Sequence, residues 1–286
     1  MSQEENWSYI ITPQSSFSRS ILQDIWRYRD LLLLFVKRDI ITNFKQTILG
    51  PLWFFIQPML TTAMLVIVFG KIARLAPADT PQILFYLSGV TAWNYFAECL
   101  TKTSTTFKDN AYIFGKVYFP RMILPLSVVA SSLLKFALQF GLFIIILSYY
   151  IFIVGTDIHL GWEVILTPVL LILMAGLALG SGMIITSMTT KYRDLALLVQ
   201  FGIQLLMYAT PVIQPLSNAE HSRFKYIILL NPMSSVIELF RIGYLGQGRE
   251  TFNWWYLAYS FGVMVLLLMI GFFIFYKTEK SFTDTV

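Results

Sequence analysis

This chain is poor in most of what a soluble enzyme uses. It holds one cysteine, Cys99, so no intrachain disulfide can form and none marks the redox compartment. Its two histidines, His159 and His221, stand far apart in sequence, and charged residues make up only 13% of the 286. Neither HExxH nor GxSxG occurs, and no pair of acidic residues has catalytic spacing. These absences argue against a zinc hydrolase, a serine hydrolase and an acid–base pair. Two Phe-Gly-Lys triplets, at 69–71 and 114–116, echo the end of a phosphate-binding loop. Ile72 and Val117 stand where that loop needs Ser or Thr to bind magnesium, and neither triplet has the leading glycine. No catalytic residue, metal ligand or cofactor site is therefore expected on this chain, and it does not read as an enzyme. Internal repeats and low-complexity linkers are also missing.

Apolar residues are abundant instead: 56% of the chain, 16% aromatic, with a mean hydropathy of +0.65. They come in blocks long enough to cross a bilayer, which takes about 20 residues of helix. Six blocks are counted, at about 52–69, 83–100, 123–154, 164–188, 195–216 and 254–276. Without strict alternation they read as helices, not as barrel strands. The expected fold is an all-α polytopic membrane protein with six transmembrane helices. It divides into an N-terminal extension (1–26), an amphipathic segment (27–50) and a transmembrane domain (51–286). The charged first fifty residues do not read as a cleavable signal.

With both termini in the cytoplasm, fourteen of the 21 Lys and Arg residues fall on the inner side and six on the outer. Cytoplasmic loops carry the cationic excess, so this orientation is expected. The +5 net charge then reflects topology and lipid contact, because its cations are too scattered for a nucleic-acid surface.

Three further segments are not spans. In the first, Leu33, Val36, Ile40, Phe44, Thr47 and Ile48 fall on one helical face and Arg38, Thr42 and Lys45 on the other, which predicts an interfacial helix broken at Gly50-Pro51. It reads equally as an anchor or as a moving part. The second, "YIFGKVYFPRMILP" (112–125), predicts a short cytoplasmic helix capped by Asp109 or Asn110 and ended at Phe119-Pro120. Phe114, Val117, Tyr118 and Phe119, flanked by Lys116 and Arg121, would be presented either to a docking partner or to lipid headgroups. The third, 217–253, holds "NPMSSVIELFR", with Asn231 as N-cap and Pro232 at the first helical position. It suits a re-entrant pair or a plain amphipathic cap. Glu98 is an intramembrane carboxylate that reads either as a proton or cation site or as snorkelling or pairing with Lys102 one turn on, and Lys135 is read with the same two alternatives. Gly176, Gly180 and Gly182 favour close helix packing.

Four of these stretches, in this order, resemble the permease subunit of type-2 ABC exporters that move polysaccharides such as O-antigen, teichoic acid and capsule. They are "RDIITNFKQTILGPLWFFIQPML" (38–60), "KVYFPRMILPLS" (116–127), "YRDLALLVQ" (192–200) and "NPMSSVIELFR" (231–241). The resemblance runs from about residue 27 to the C-terminus. It implies that the interface helix, with Arg38, Asp39, Phe44 and Lys45, packs against a separate ATPase. Asp109, Asn110, Phe114, Lys116, Val117, Tyr118, Phe119, Pro120 and Arg121 would form the coupling segment that fits a groove on that ATPase. Tyr192, Arg193 and Asp194 would form the second cytoplasmic loop. Asn231, Pro232, Glu238 and Arg241 would belong to an exit-side re-entrant region. The family works as a homodimer with two Walker-containing ATPase subunits, which hold the ATP and magnesium. A lipid-linked glycan, carried on a polyprenyl diphosphate, would cross the inner membrane between the permeases.

Aromatic rings stack on the apolar faces of sugars, so Trp53, Phe54, Phe85, Tyr86, Trp93, Tyr95, Phe96, Phe201 and Tyr208 are candidate channel residues. A drug, lipid or peptide cargo stays open as an alternative. So do an ion-coupled transporter and a membrane enzyme acting on lipid-linked sugars.

Overall fold

A computed structural model describes residues 25–44, 50–77, 80–114, 119–192, 194–219, 225–246, 248–250 and 252–282. The expected extension lies almost wholly outside this set, as do Lys45, Lys116, Val117, Tyr118 and Arg193. The described residues are helical, with no strand among them.

Helix α1 (Arg29–Phe44) precedes the membrane-length helices. α2 (Trp53–Leu65) runs on through a π-helical turn, Val66–Ile72. Gly50, at φ +49, opens the 3-10 turn that leads into α2, where the sequence predicts a break. α3 (Gln82–Ser104) is followed by two single-turn helices, α4 (Thr106–Asp109) and α5 (Ala111–Phe114). α6 (Ile123–Tyr149) also ends in a π-helical turn, Tyr150–Val154. A 3-10 turn (Trp162–Leu166) leads into α7 (Thr167–Thr189), and α8 (Leu195–Tyr208) follows. Short α9 (Leu216–Ala219) and α10 (Lys225–Leu230) precede α11 (Pro232–Leu245) and the long α12 (Trp254–Phe282).

Four helical stretches are long and apolar enough to cross a membrane: Trp53–Ile72, Ile123–Val154, Trp162–Thr189 and Trp254–Thr278. They match the first, third, fourth and sixth expected blocks. The second and fifth blocks differ, each for a physical reason. α3 has the length, 23 residues, but carries Ser88, Thr91, Asn94, Glu98 and Lys102. Residues 84–93 are buried without a gap, so this stretch of the helix is surrounded by protein on all sides and needs no lipid-compatible surface. The fifth block is helical over only 14 residues. Pro211 cannot donate to the ladder and disfavours helix at Thr210, so α8 stops at Tyr208.

The core is built around α3, with Phe85, Tyr86, Trp93, Phe96 and Cys99 packed among Phe143, Leu173, Met174, Leu177, Val236 and Phe240. α7 and α12 approach most closely at two glycines. A Cβ on Gly271 would collide with the carbonyl oxygen of Gly180, and one on Gly180 would sit 2.7 Å from the carbonyl carbon of Leu267. Small residues let the two backbones touch, as expected for Gly180. Gly176 lies against Met264 of the same α12, while Gly182 fits Thr103 of α3.

Candidate functional site: a helix junction and a helix break

On the expected cytoplasmic side, α1 packs along the start of α6. Phe35 and Phe119 meet at a tilt of 48° with ring centroids 5.6 Å apart, and Ile123 and Leu124 close the cluster. Arg38 Nη1 donates to Asn110 Oδ1 at 3.2 Å, and its guanidinium lies 4.9 Å from the Phe35 ring centroid. Its remaining donors hold Asp39 at 2.8 Å. One arginine thus ties the interfacial helix to the turn between α4 and α5.

Three expectations are corrected here. The buried stripe of α1 is centred on Phe35, flanked by Tyr28, Leu31 and Leu32, whereas Leu33 is exposed. The face expected around Leu33, Val36 and Ile40 is rotated, because the partner of this helix is α6 and not lipid alone. Phe119 is buried, 4% exposed, not presented to a partner. Asp109 and Asn110 do not cap with their side chains: Asp109 Oδ2 accepts from Thr105 Oγ1, while Asn110 joins Arg38 and donates to the Thr106 carbonyl. Arg121 is also buried, and Pro120 half-buried. Tyr112 is exposed. Tyr192 and Asp194 are exposed in the α7–α8 loop. The side chains of Phe44 and Phe114 lie outside the described set.

Above this junction the helices carry a polar ladder. Glu98 accepts from Lys102 at 2.7 Å and from Lys135 at 2.6 Å, joining α3 to α6. Asn94 donates to Gln139 at 3.2 Å one turn further along. Lys135 also lies 5.7 Å from the Phe54 ring centroid. The sequence pairs Glu98 with Lys102 one turn on; the second lysine, 37 positions away, has no local signal.

At the other end, α11 repairs the break after α8. Unwound backbone at membrane depth must find partners inside the protein. Arg241 Nη2 donates to the Pro211 carbonyl at 2.7 Å, Asn231 Nδ2 to the Ala209 carbonyl at 3.2 Å, and Glu238 Oε1 accepts from the Leu216 N–H at 3.4 Å. Arg241 and Glu238 are themselves paired at 2.9 Å and buried, and the guanidinium lies 3.8 Å from the Phe85 ring centroid. Asn231 caps α11 through the Met233 N–H, with Pro232 at the first position, as the sequence predicts.

The candidate channel aromatics separate into two groups. Phe85, Tyr86, Trp93, Tyr95 and Phe96 are all at most 5% exposed and pack inside the chain's own core. Trp53, Phe201 and Tyr208 lie on its surface, 51–59% exposed, and Phe54 is half-buried.

A helical protein of this kind, with four helices long and apolar enough to cross a membrane, is a multi-pass membrane protein. The chain belongs to the ABC-2 type transporter membrane family, whose model matches residues 30–245. It is similar to an O-antigen export system permease protein RfbA of Klebsiella pneumoniae, 28% identical over 255 residues, covering 89% of this chain and 94% of that one. A Myxococcus xanthus protein of the same name is 28% identical over 218 residues, 76% of this chain and 81% of its own. The capsule polysaccharide export inner-membrane protein CtrC of Neisseria meningitidis serogroup A is 23% identical over 263 residues, 87% of this chain and 92% of its own.

Proposed function

We propose that this chain is the transmembrane subunit of an ATP-driven exporter that moves a lipid-linked polysaccharide across the inner membrane. The observation that carries this reading is the full-length similarity to permeases named for O-antigen and capsule export, within the ABC-2 family. In it, six spans cross the bilayer with both termini inside, α3 and α8 supplying the second and fifth. Two copies pair, each bound to a separate ATPase that holds the ATP and magnesium. The glycan, on a polyprenyl diphosphate, passes between the copies.

The cytoplasmic junction supports a coupling role. A push on the segment around 109–121 would reach the interfacial helix at two points, through Arg38–Asn110 and through Phe35–Phe119. Ion coupling is disfavoured because Glu98 is held between two lysines, which suits a structural pair better than a carboxylate that must release and rebind a cation.

Affinity purification of the full chain from native membranes in mild detergent tests the proposal. A stoichiometric ATPase partner, and loss of surface polysaccharide when the chain is deleted, are expected. A homo-oligomer without an ATPase, under conditions that preserve other complexes, would refute it. The double variant Phe114→Asp with Tyr118→Asp is expected to insert normally, lose the ATPase and stop export.

A further inference from the structure

α3 stops at Ser104 and the chain restarts as the single-turn α4, with Thr105 between them at φ −113° and ψ 6°. A break of this kind leaves backbone groups on both sides in need of partners. Two hydroxyls of α7, one turn apart, bond to either side of it. The Phe107 N–H donates to Thr186 Oγ1 at 3.3 Å, and Thr189 Oγ1 donates to the Ser104 carbonyl at 2.9 Å. A four-residue helix has almost no hydrogen-bond ladder of its own, so such contacts fix where α4 sits.

The side chain of Phe107 is buried between α7 and α12. Its ring stacks on Phe275 of α12, 16° from parallel with centroids 4.6 Å apart, and Leu179 and Met183 of α7 complete the cluster. Met183 and Phe275 each lie one turn beyond the Gly180–Gly271 crossing, where the two backbones touch. α4 also has two sides. Lys108 and Asp109 are exposed, whereas Thr106, Phe107 and Asn110 are buried. A force applied at Lys108 and Asp109 therefore has two ways inward. One runs through Asn110 to Arg38 of α1, the other through Phe107 to α7 and α12.

We propose that Phe107 is a positioning residue through which the ATPase partner moves α7 and α12 as one body; the inference rests on the exporter reading above. The glycine crossing supplies the rigidity, since close-packed backbones cannot slide past each other without a clash. The Phe107 ring supplies the grip on Phe275, and the Thr186 and Thr189 hydroxyls hold the backbone that carries it. Stacked rings keep a preferred relative orientation, whereas an aliphatic side chain in the same seat has none to keep. This route is separate from the one through Arg38, which ends on the interfacial helix and reaches neither α7 nor α12.

The test uses the full-length chain with its native partner, as Phe107→Leu, Phe275→Leu and the double variant. Leucine keeps most of the buried apolar surface and removes the ring pairing. Each single variant is expected to keep its membrane level, its bound ATPase and the ATP hydrolysis of the purified complex. The initial rate of surface polysaccharide export per complex should fall about three- to tenfold, the scale of one aromatic pair. The double variant should be no worse than either single one, because both changes remove the same contact. Phe143→Leu, at a fully buried ring of the main core, is the packing control and should leave export per complex unchanged. Thr186→Val, isosteric and outside the ring pair, should lower export per complex in the same way, and it decides the question if the leucine variants are lost from the membrane. Unchanged export per complex, a loss only in step with permease level or bound ATPase, or additive losses in the double variant would each overturn the route. The wild-type chain separates the two readings. If it purifies without an ATPase, the exporter proposal fails; if it holds one and exports, and the variants export equally well per complex, only this route fails.

Discussion

Arg38 and Asn110, 72 positions apart, share a hydrogen bond of 3.2 Å that joins the interfacial helix to the turn between α4 and α5. The same guanidinium stacks on Phe35, whose ring meets Phe119. Three short-range contacts thus make one mechanical unit of two segments that a partner ATPase would touch.

Arg38→Ala should weaken that unit by about 1–2 kcal/mol, the scale of one hydrogen bond and a half-exposed cation–π contact. The expected result is a permease that inserts normally but exports poorly and retains less ATPase on purification. Arg29→Ala, at an exposed side chain whose ion pair with Asp30 is long at 3.9 Å, should change neither.

Glu238 and Arg241 hold the ends of a broken helix as well as each other. Removing one partner leaves an uncompensated buried charge, a loss of about 3–5 kcal/mol. Arg241→Met should therefore lower the midpoint of thermal unfolding in detergent, read by labelling of the buried Cys99 thiol as it becomes exposed. Glu238→Met with Arg241→Met should recover part of that loss. It cannot recover all of it, because the Pro211 carbonyl and the Leu216 N–H remain without their partners.

Glu98 is expected to matter as a bridge between α3 and α6, not as a proton carrier. Glu98→Gln alone should destabilise the permease by roughly 1–3 kcal/mol, since both lysines lose their counter-charge. The neutral pair Glu98→Met with Lys135→Met should retain ATP-driven export of surface polysaccharide. Loss of export in a well-inserted double variant would favour the ion-coupled alternative.

The Gly180–Gly271 crossing leaves no room for a side chain. Gly271→Val should cost more than the ~1–3 kcal/mol of ordinary overpacking, because backbone stands in the way and cannot rotate aside. Membrane levels of the protein should fall sharply. Gly262→Ala, on the same helix with open space around its Cβ position, should be tolerated.

Local features of the fold are legible in the residues alone. Block length and hydropathy mark four of the membrane-length helices within a few residues. Asn231-Pro232 marks the start of α11, and Gly50-Pro51 the turn into the first span. Pro211 signals a bend, but the sequence alone extends the fifth helix to residue 216 where it ends at Tyr208. α3 has membrane length but carries polar residues, and two of them, Ser88 and Thr91, are buried within the protein, which hydropathy alone does not register.

The sequence by itself determined that this is a helical membrane protein, where most of its helices begin and end, and which exporter family it joins. Those properties depend on neighbours within a few turns: apolar run length, proline and glycine chemistry, and caps. Only the tertiary structure decided that Phe119 turns inward, that five of the candidate channel aromatics are core, and that α11 satisfies the broken end of α8. Each of these joins residues tens of positions apart, and on an apolar helix every face looks alike until another helix covers one of them.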